Sequence, residues 1–215
     1  MTYKIQKTPL FILTLALCMI VADHCVYAAQ SIIEETRTIS GLPHRIQVRL
    51  TSGLDEKSAR EIIGKAFLAG AVVNAQSGTM GSVIDREVAI LTESGVKYSF
   101  VNSDAQMFSM GMKSDTEMWK AWIPHPTDKK KVFAILRLKD KAIATVRNKV
   151  LTASVVADTT AEAEKQALEL LIKGEGGLEA AEAMGVDALL IMKDGKKLKL
   201  GMAGGFKEQY GKAKK

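Results

Sequence analysis

The stretch from Ser77 to Thr145 constrains the fold more than any other part of this 215-residue chain. It begins with a glycine turn, Gly78-Thr79-Met80-Gly81-Ser82, and continues into an apolar-periodic segment over about Val83–Glu93 that stops at Ser94-Gly95. Glycine just past the last periodic residue is a helix C-cap signal, because it enters the left-handed region without a Cβ clash. Strand-like runs follow at about Lys97–Asn102, Gln106–Met110 and Met118–Ile123, the last ending before Pro124. Val132–Leu138 and Ala142–Thr145 then flank a Lys139-Asp140-Lys141 turn. Strands joined by turns this short cannot be parallel neighbours, which need crossovers of a dozen residues or more. The segment predicts an antiparallel sheet with a helix beside it.

The flanking sequence extends the same pattern. His44 to Thr51 alternates strictly, with Ile46, Val48 and Leu50 on one side and Arg45, Gln47 and Arg49 on the other, as in a half-buried strand. Asp55 caps a helix over about Glu56–Val73, whose apolar face holds Ala59, Ile62, Ile63, Ala66 and Phe67. After Thr145, Val150–Ala157 reads as a strand, and Thr159-Thr160-Ala161-Glu162 is a capping box opening a helix to Ile172. Gly176-Gly177 opens a short helix that ends at Gly185, and a hairpin of Ala188–Met192 and Lys197–Leu200 turns at Asp194-Gly195. The fold class is α+β, a mostly antiparallel sheet with helices packed on one face. Residues 44–206 are expected to form a single domain, preceded by a loose polar segment at 29–43 and followed by a basic tail at 207–215.

Residues 1–28 read as a signal peptide. Lys4 and Lys7 precede an apolar run from Leu10 to Val21, too short for a comfortable membrane span, and Val26-Tyr27-Ala28 places small residues where cleavage after Ala28 is expected. The protein is therefore expected to be exported, in the periplasm, without a transmembrane span once the leader is removed. Both cysteines, Cys18 and Cys25, lie in the leader. The remaining 187 or so residues lack thiols, which excludes a disulfide framework, a thiol nucleophile, an iron–sulfur cluster and a cysteine zinc site.

The leader holds two lysines and one aspartate, so its loss leaves a net charge one unit below the whole chain's +6. The excess sits in Lys129-Lys130-Lys131, Lys196-Lys197 and the tail, without interleaved aromatic residues, and reads as a solvated surface and not as a nucleic-acid interface. His44 and His125 have no nucleophile or carboxylate at a telling spacing and are expected to be surface histidines. Met107, Met110, Met112 and Met118 could suggest a soft-metal site, but Met107 and Met110 have opposite strand parity. Gly174–Gly177 follows a helix and Gly201–Gly205 has no helix expected after it, so both read as turns. The turn at Gly78–Ser82 differs: it precedes a helix, whose first amide groups could face an anion such as a pyrophosphate.

From about Gly78 to the last hairpin, the order of elements and several short motifs resemble the ApbE family, the FAD:protein FMN transferases. That family's glycine turn reads Lys-Gly-Tyr-x-x-Asp. Here Met80-Gly81-Ser82-Val83-Ile84-Asp85 keeps Gly81 and Asp85. Its next strand ends Val-Asn-x-Gly-Gly, matched by Val101-Asn102-Ser103-Asp104-Ala105, with Asp104 where a glycine would admit phosphate. A Trp-then-His-Pro stretch corresponds to Trp119, Trp122, His125 and Pro126, and Ala-Thr-Ser-Gly corresponds to Ala144-Thr145-Val146-Arg147. The family's His-Ile-x-Asp-Pro-x-Thr-Gly segment is absent, since Arg147-Asn148-Lys149 leads directly into Val150, and the N-terminal region is short. In the metal helix, Asp-Ala-x-x-Thr becomes Glu164-Lys165-Gln166-Ala167-Leu168, so Glu164 takes the Asp position and Leu168 the Thr position.

The resemblance implies an ApbE-like (T-fold-like) core in a divergent, shortened member. It implies FAD and Mg²⁺ as cofactors, with Gly81, Asp85, Asn102, Asp104 and Thr145 toward the flavin nucleotide and Glu164 toward the metal. The partners it implies are a flavin ligand and a redox protein acceptor in the cell envelope. Loss of a metal oxygen at Leu168 and the added anion at Asp104 point to impaired or lost catalysis, leaving a flavin- or partner-binding module. The alternative is an active Mg²⁺-dependent transferase that attaches FMN to Thr or Ser of a redox protein, with Glu164 or Asp104 rebuilding the metal site.

Overall fold

The computed structural model describes residues 31–76, 78–128, 130–195 and 197–209, so the expected leader and most of the basic tail lie outside the described residues. Strands β1 (Ile32–Ile39) and β2 (Leu42–Arg49) form a hairpin, followed by helices α1 (Glu56–Ala75) and α2 (Met80–Glu93). Strands β3 (Ser99–Ser103), β4 (Gln106–Met110), β5 (Trp119–Pro124), β6 (Val132–Leu138), β7 (Lys141–Arg147) and β8 (Leu151–Ala157) come next. Helix α3 (Thr160–Lys173), a 3₁₀ turn and helix α4 (Gly177–Met184) lead to β9 (Asp187–Asp194), β10 (Lys197–Ala203) and a one-turn helix α5 (Phe206–Gln209). Eight strands make one sheet in the order β1-β2-β3-β4-β7-β8-β9-β10, and β5 and β6 pair separately. Every pairing among the described residues is antiparallel, and short turns join β1 to β2, β3 to β4, β7 to β8 and β9 to β10.

Residues 29–43 depart from expectation. Instead of a loose segment, Ile32–Ile39 forms the edge strand β1, in register with β2 from Ile32↔Arg49 to Ile39↔Leu42. The cause is local: Ser40 and Gly41 both adopt positive φ, 52° and 77°, the backbone of a two-residue hairpin turn. Only Ile33 and Ile39 of this strand are buried, so its alternation is too sparse to stand out in the sequence. The turn after Gly201–Gly205 also differs, because α5 follows it. There the Asp187 carboxylate accepts the Gly205 N–H at 2.7 Å, so the turn serves the fold.

The two faces of the sheet carry different layers. On one, Ile46, Val48 and Val101 pack with Ile63, Phe67, Val83, Ile84 and Leu91 of α1 and α2, while Ala153, Val155 and Leu190 pack with Ala167 and Leu170 of α3 and Ala181 of α4. On the other, Phe100, Met107, Ile143, Val156, Leu189 and Ile191 meet the inner residues of β5 and β6, with Trp119 stacked on Phe100 at 5.7 Å, and Phe206. Met107 and Met110 point to opposite faces, as their parity predicts: Met107 joins the second layer and Met110 packs on the helix layer.

Where the family's intervening segment is missing, the chain makes a tight β7–β8 turn. Asn148 Oδ1 accepts from the amides of Val150 and Leu151 at 2.8 and 2.7 Å, while its own N–H reaches Leu151 O at 2.9 Å. Asn148→Ala removes an acceptor for two backbone donors, an expected loss of about 1–2 kcal/mol in urea unfolding, whereas Asn148→Asp keeps most of the stability.

Candidate functional site

The N-terminus of α2, where an anionic ligand was expected, is occupied by the protein itself. Thr79 is the N-cap, accepting the Ser82 N–H through Oγ1 at 3.3 Å. The Gly81 N–H donates to Glu164 Oε2 of α3 at 2.8 Å. A carboxylate therefore sits where the partial positive charge of the helix end would attract a phosphate. Gly81 is buried, and a Cβ there would stand 2.7 Å from Glu164 Oε2 and 2.8 Å from both Cα and N of Ala161. Glycine is needed here for close helix approach.

Asp85, one turn further along α2, completes the arrangement in the reverse direction. Its Oδ1 accepts the Thr160 N–H at 2.7 Å and its Oδ2 the Ala161 N–H at 2.9 Å. Those are the first amides of α3, whose own N-cap, Thr159, accepts from Glu162 N at 3.2 Å. Each helix thus supplies a carboxylate to the start of the other. Gly81, Asp85 and Glu164 form a clamp between α2 and α3.

Asn102, Asp104 and Thr145 lie elsewhere. Asn102 stands opposite Met107, and Thr145 is two residues beyond Ile143, so both face the layer containing β5 and β6 and not the helices. The Asp104-Ala105 turn joins β3 to β4, and its Ala105 O accepts the Thr145 N–H at 3.0 Å, which brings these three residues to one end of the sheet. Asp104 has φ 49°, a left-handed conformation that Asp tolerates better than most residues. Thr145 Oγ1 shares a 2.9 Å hydrogen bond with Ser154 Oγ. Asn102 Oδ1 is buried and has no hydrogen-bond partner among the described residues. The sheet therefore separates the two groups of residues that the family resemblance places around one ligand.

This donor set does not fit a resident Mg²⁺. The ion requires near-octahedral oxygen coordination, usually including one or two carboxylates. One Glu164 oxygen is held by Gly81, both Asp85 oxygens are held by α3, and Leu168 presents only an exposed aliphatic chain. Among the described residues, no three His, Cys, Asp or Glu side chains gather as a metal group. The pyrophosphate end of a dinucleotide fares no better at α2, because the Glu164 carboxylate already occupies the helix terminus. The open acceptor at Asn102 is the position still suited to a ligand hydrogen bond.

One polar pair was not anticipated. His44 is completely buried, contrary to the expectation of a surface histidine, and its Nε2 lies 2.6 Å from Glu87 Oε2, which is equally buried. Burial raises the Glu87 pKa above its ordinary value, and the His44 contact pulls it partly back. Gly70 of α1 leaves the space: a Cβ there would lie 2.5 Å from Glu87 Oε1. Glu87 falls on the buried stripe of α2, with Val83, Ile84 and Leu91, so helical periodicity carried the one available signal. His125, by contrast, is half-buried in the β5–β6 turn, where Nδ1 meets Thr127 Oγ1 at 3.2 Å and its carbonyl accepts from Arg147 at 3.4 Å.

No family model matches the sequence, and no curated protein matches it. Solved structures do match. The flavin transferase ApbE of Vibrio cholerae superposes with a TM-score of 0.67 at 14% identity, over 82% of this chain and 98% of that one. The flavinyl transferase ApbE of Pseudomonas stutzeri, in its apo form, gives 0.68 at 12% identity, over 84% and 97%. The ApbE protein of Thermotoga maritima gives 0.64 at 12% identity, over 83% and 99%. Element order, sheet topology and these superpositions agree: the chain has the fold of the ApbE flavin transferases, in a divergent sequence.

Proposed function

We propose that this protein is an exported binding module on the flavin-transferase scaffold, with the transfer chemistry impaired or lost. One observation carries the reading: the Glu164 carboxylate, at the position the family resemblance assigns to the metal, is spent on the Gly81 amide at 2.8 Å. Phosphoryl transfer depends on positioning and on neutralising developing charge, normally with a metal ion bridging the phosphates. A helix terminus neutralised by its own neighbour offers neither. The buried, unmatched Oδ1 of Asn102 supports a flavin as the ligand, because it is an acceptor awaiting an N–H donor. Export rests on Lys4, Lys7 and the apolar run before Ala28.

Mixing the protein with FAD and Mg²⁺ is expected to quench flavin fluorescence without releasing AMP, and Asn102→Ala is expected to weaken the quenching about threefold to tenfold. Release of AMP at a catalytic rate would establish the active Mg²⁺-dependent transferase instead. Absence of quenching would remove the flavin and leave a partner protein as the module's ligand. N-terminal sequencing of the secreted form tests cleavage after Ala28.

A further inference from the structure

The β5–β6 hairpin pairs apart from the main sheet and turns one face outward. Its inner face is core: Trp119, Ala121 and Ile123 alternate with the outward Lys120 and Trp122, and Ala134, Leu136 and Leu138 alternate with the outward Ile135 and Arg137. In register, Trp122 stands opposite Ile135 and Lys120 opposite Arg137 on that outer face. Ile135 is 59% exposed and Val132 52%, while Trp122 is half-buried with its ring 6.4 Å from Phe100.

The charge is unevenly placed. Residues 119–138 hold Lys120, Lys129, Lys130, Lys131 and Arg137 against Asp128 alone, which is +4 of the whole chain's +6. Like charges directly opposite on neighbouring strands are destabilising. Lys120 is relieved by Glu117 at 2.8 Å and Lys131 by Asp128 at 3.3 Å, but Arg137 has no ion pair among the described residues. Stability alone does not account for an exposed Ile135 and a half-buried Trp122 beside a Lys–Arg pair.

The geometry points to an anionic lipid surface as the partner of this face. Apolar side chains can enter the headgroup boundary while Lys and Arg extend their cations to the phosphates, and apolar burial and charge attraction then add. The hairpin offers both on one outward face, where Trp122 and Ile135 lie beside Lys120 and Arg137. An acidic protein would answer to the cations but has no need of the aliphatic residues between them.

The test uses the full chain and two sets of vesicles, phosphatidylcholine alone and phosphatidylcholine containing phosphatidylglycerol. Any contribution of the leader is common to all variants. Wild type is expected to co-sediment with the anionic vesicles and to show a blue-shifted emission from Trp122, while Trp119, already buried, contributes a constant background. Trp122→Phe should abolish the shift and retain most of the binding. The double variant Lys130→Glu/Arg137→Glu should bind at least about twentyfold more weakly, from roughly fivefold per surface cation. Ile135→Ser should weaken binding without changing its dependence on the anionic lipid. Lys130, Ile135 and Arg137 are exposed and Trp122 is half-buried, and unaltered far-UV circular dichroism with an unchanged unfolding midpoint checks the fold of each variant. Equal binding of wild type and the charge variant to the anionic vesicles, or equal binding of wild type to neutral ones, overturns the proposal. So does binding to soluble polyglutamate as tight as to vesicles with no movement of the Trp122 emission, which would identify an acidic protein partner.

Discussion

His44→Ala is expected to destabilise the protein by about 2–4 kcal/mol in urea unfolding, the combined cost of leaving the buried Glu87 carboxyl without its polar partner and of the space the imidazole vacates. The imidazole and the Glu87 carboxylate are both wholly inaccessible, and their 2.6 Å contact is the compensation each has for lost hydration. Without His44, Glu87 must remain protonated or draw water into the space between β2 and α2. The paired change His44→Leu/Glu87→Leu should be far milder than either single change, because an apolar pair of suitable volume leaves no group unsatisfied. Equal costs for the single and double variants would show that packing alone governs the site.

The same pair has a pH signature with a defined sign. Burial raises the pKa of Glu87 in the folded state above the ordinary carboxyl value of 4.5, and His44 only partly opposes this. A folded-state pKa above the unfolded one means that the folded protein holds its proton more tightly. The associated stability is complete below the ordinary value and declines as pH rises through the raised one. Glu87→Gln, which cannot ionise, should flatten that decline. A wild type and a Glu87→Gln variant with parallel stability curves from pH 4 upward would contradict this.

The second large effect concerns the clamp between α2 and α3. Asp85→Ala removes the acceptor for two amides at the start of α3, with an expected cost of about 2–4 kcal/mol. Asp85→Asn retains one acceptor oxygen and should cost less. Gly81→Ala is expected to cost about 1–3 kcal/mol through overpacking. Glu164→Ala would not rescue Gly81→Ala, since the new Cβ still meets the Ala161 backbone at 2.8 Å. Mg²⁺ should leave the Tm of the wild type unchanged, because an ion stabilises a fold only by binding it. A Tm that rises with Mg²⁺ and no longer does so in Glu164→Ala would establish Glu164 as a metal ligand and overturn this account.

Much of the architecture was legible because its signals are local. Asp55, Thr159 and Ser94-Gly95 mark helix ends wherever the helices lie, and the observed Gln106–Met110 and Val132–Leu138 coincide with the strand-like runs read between turns. The edge strand β1 escaped because an edge needs few buried residues, so two isoleucines and a Ser40-Gly41 turn were its entire signature. His44 escaped for a different reason. Its partner is 43 residues away, and no spacing rule connects a strand residue to a helix residue brought to it by packing.

The sequence by itself determined that the chain is α+β, that its sheet is mostly antiparallel and that its chemistry, beyond residues 1–28, excludes thiols. It also established the order of elements by which the ApbE-like fold was recognised. Only the tertiary structure decided what Gly81, Asp85 and Glu164 do. A carboxylate is equally able to hold a metal or to cap a helix, and the choice depends on which donor stands within 3 Å. Here the donors are amides of the neighbouring helix, at 2.7–2.9 Å.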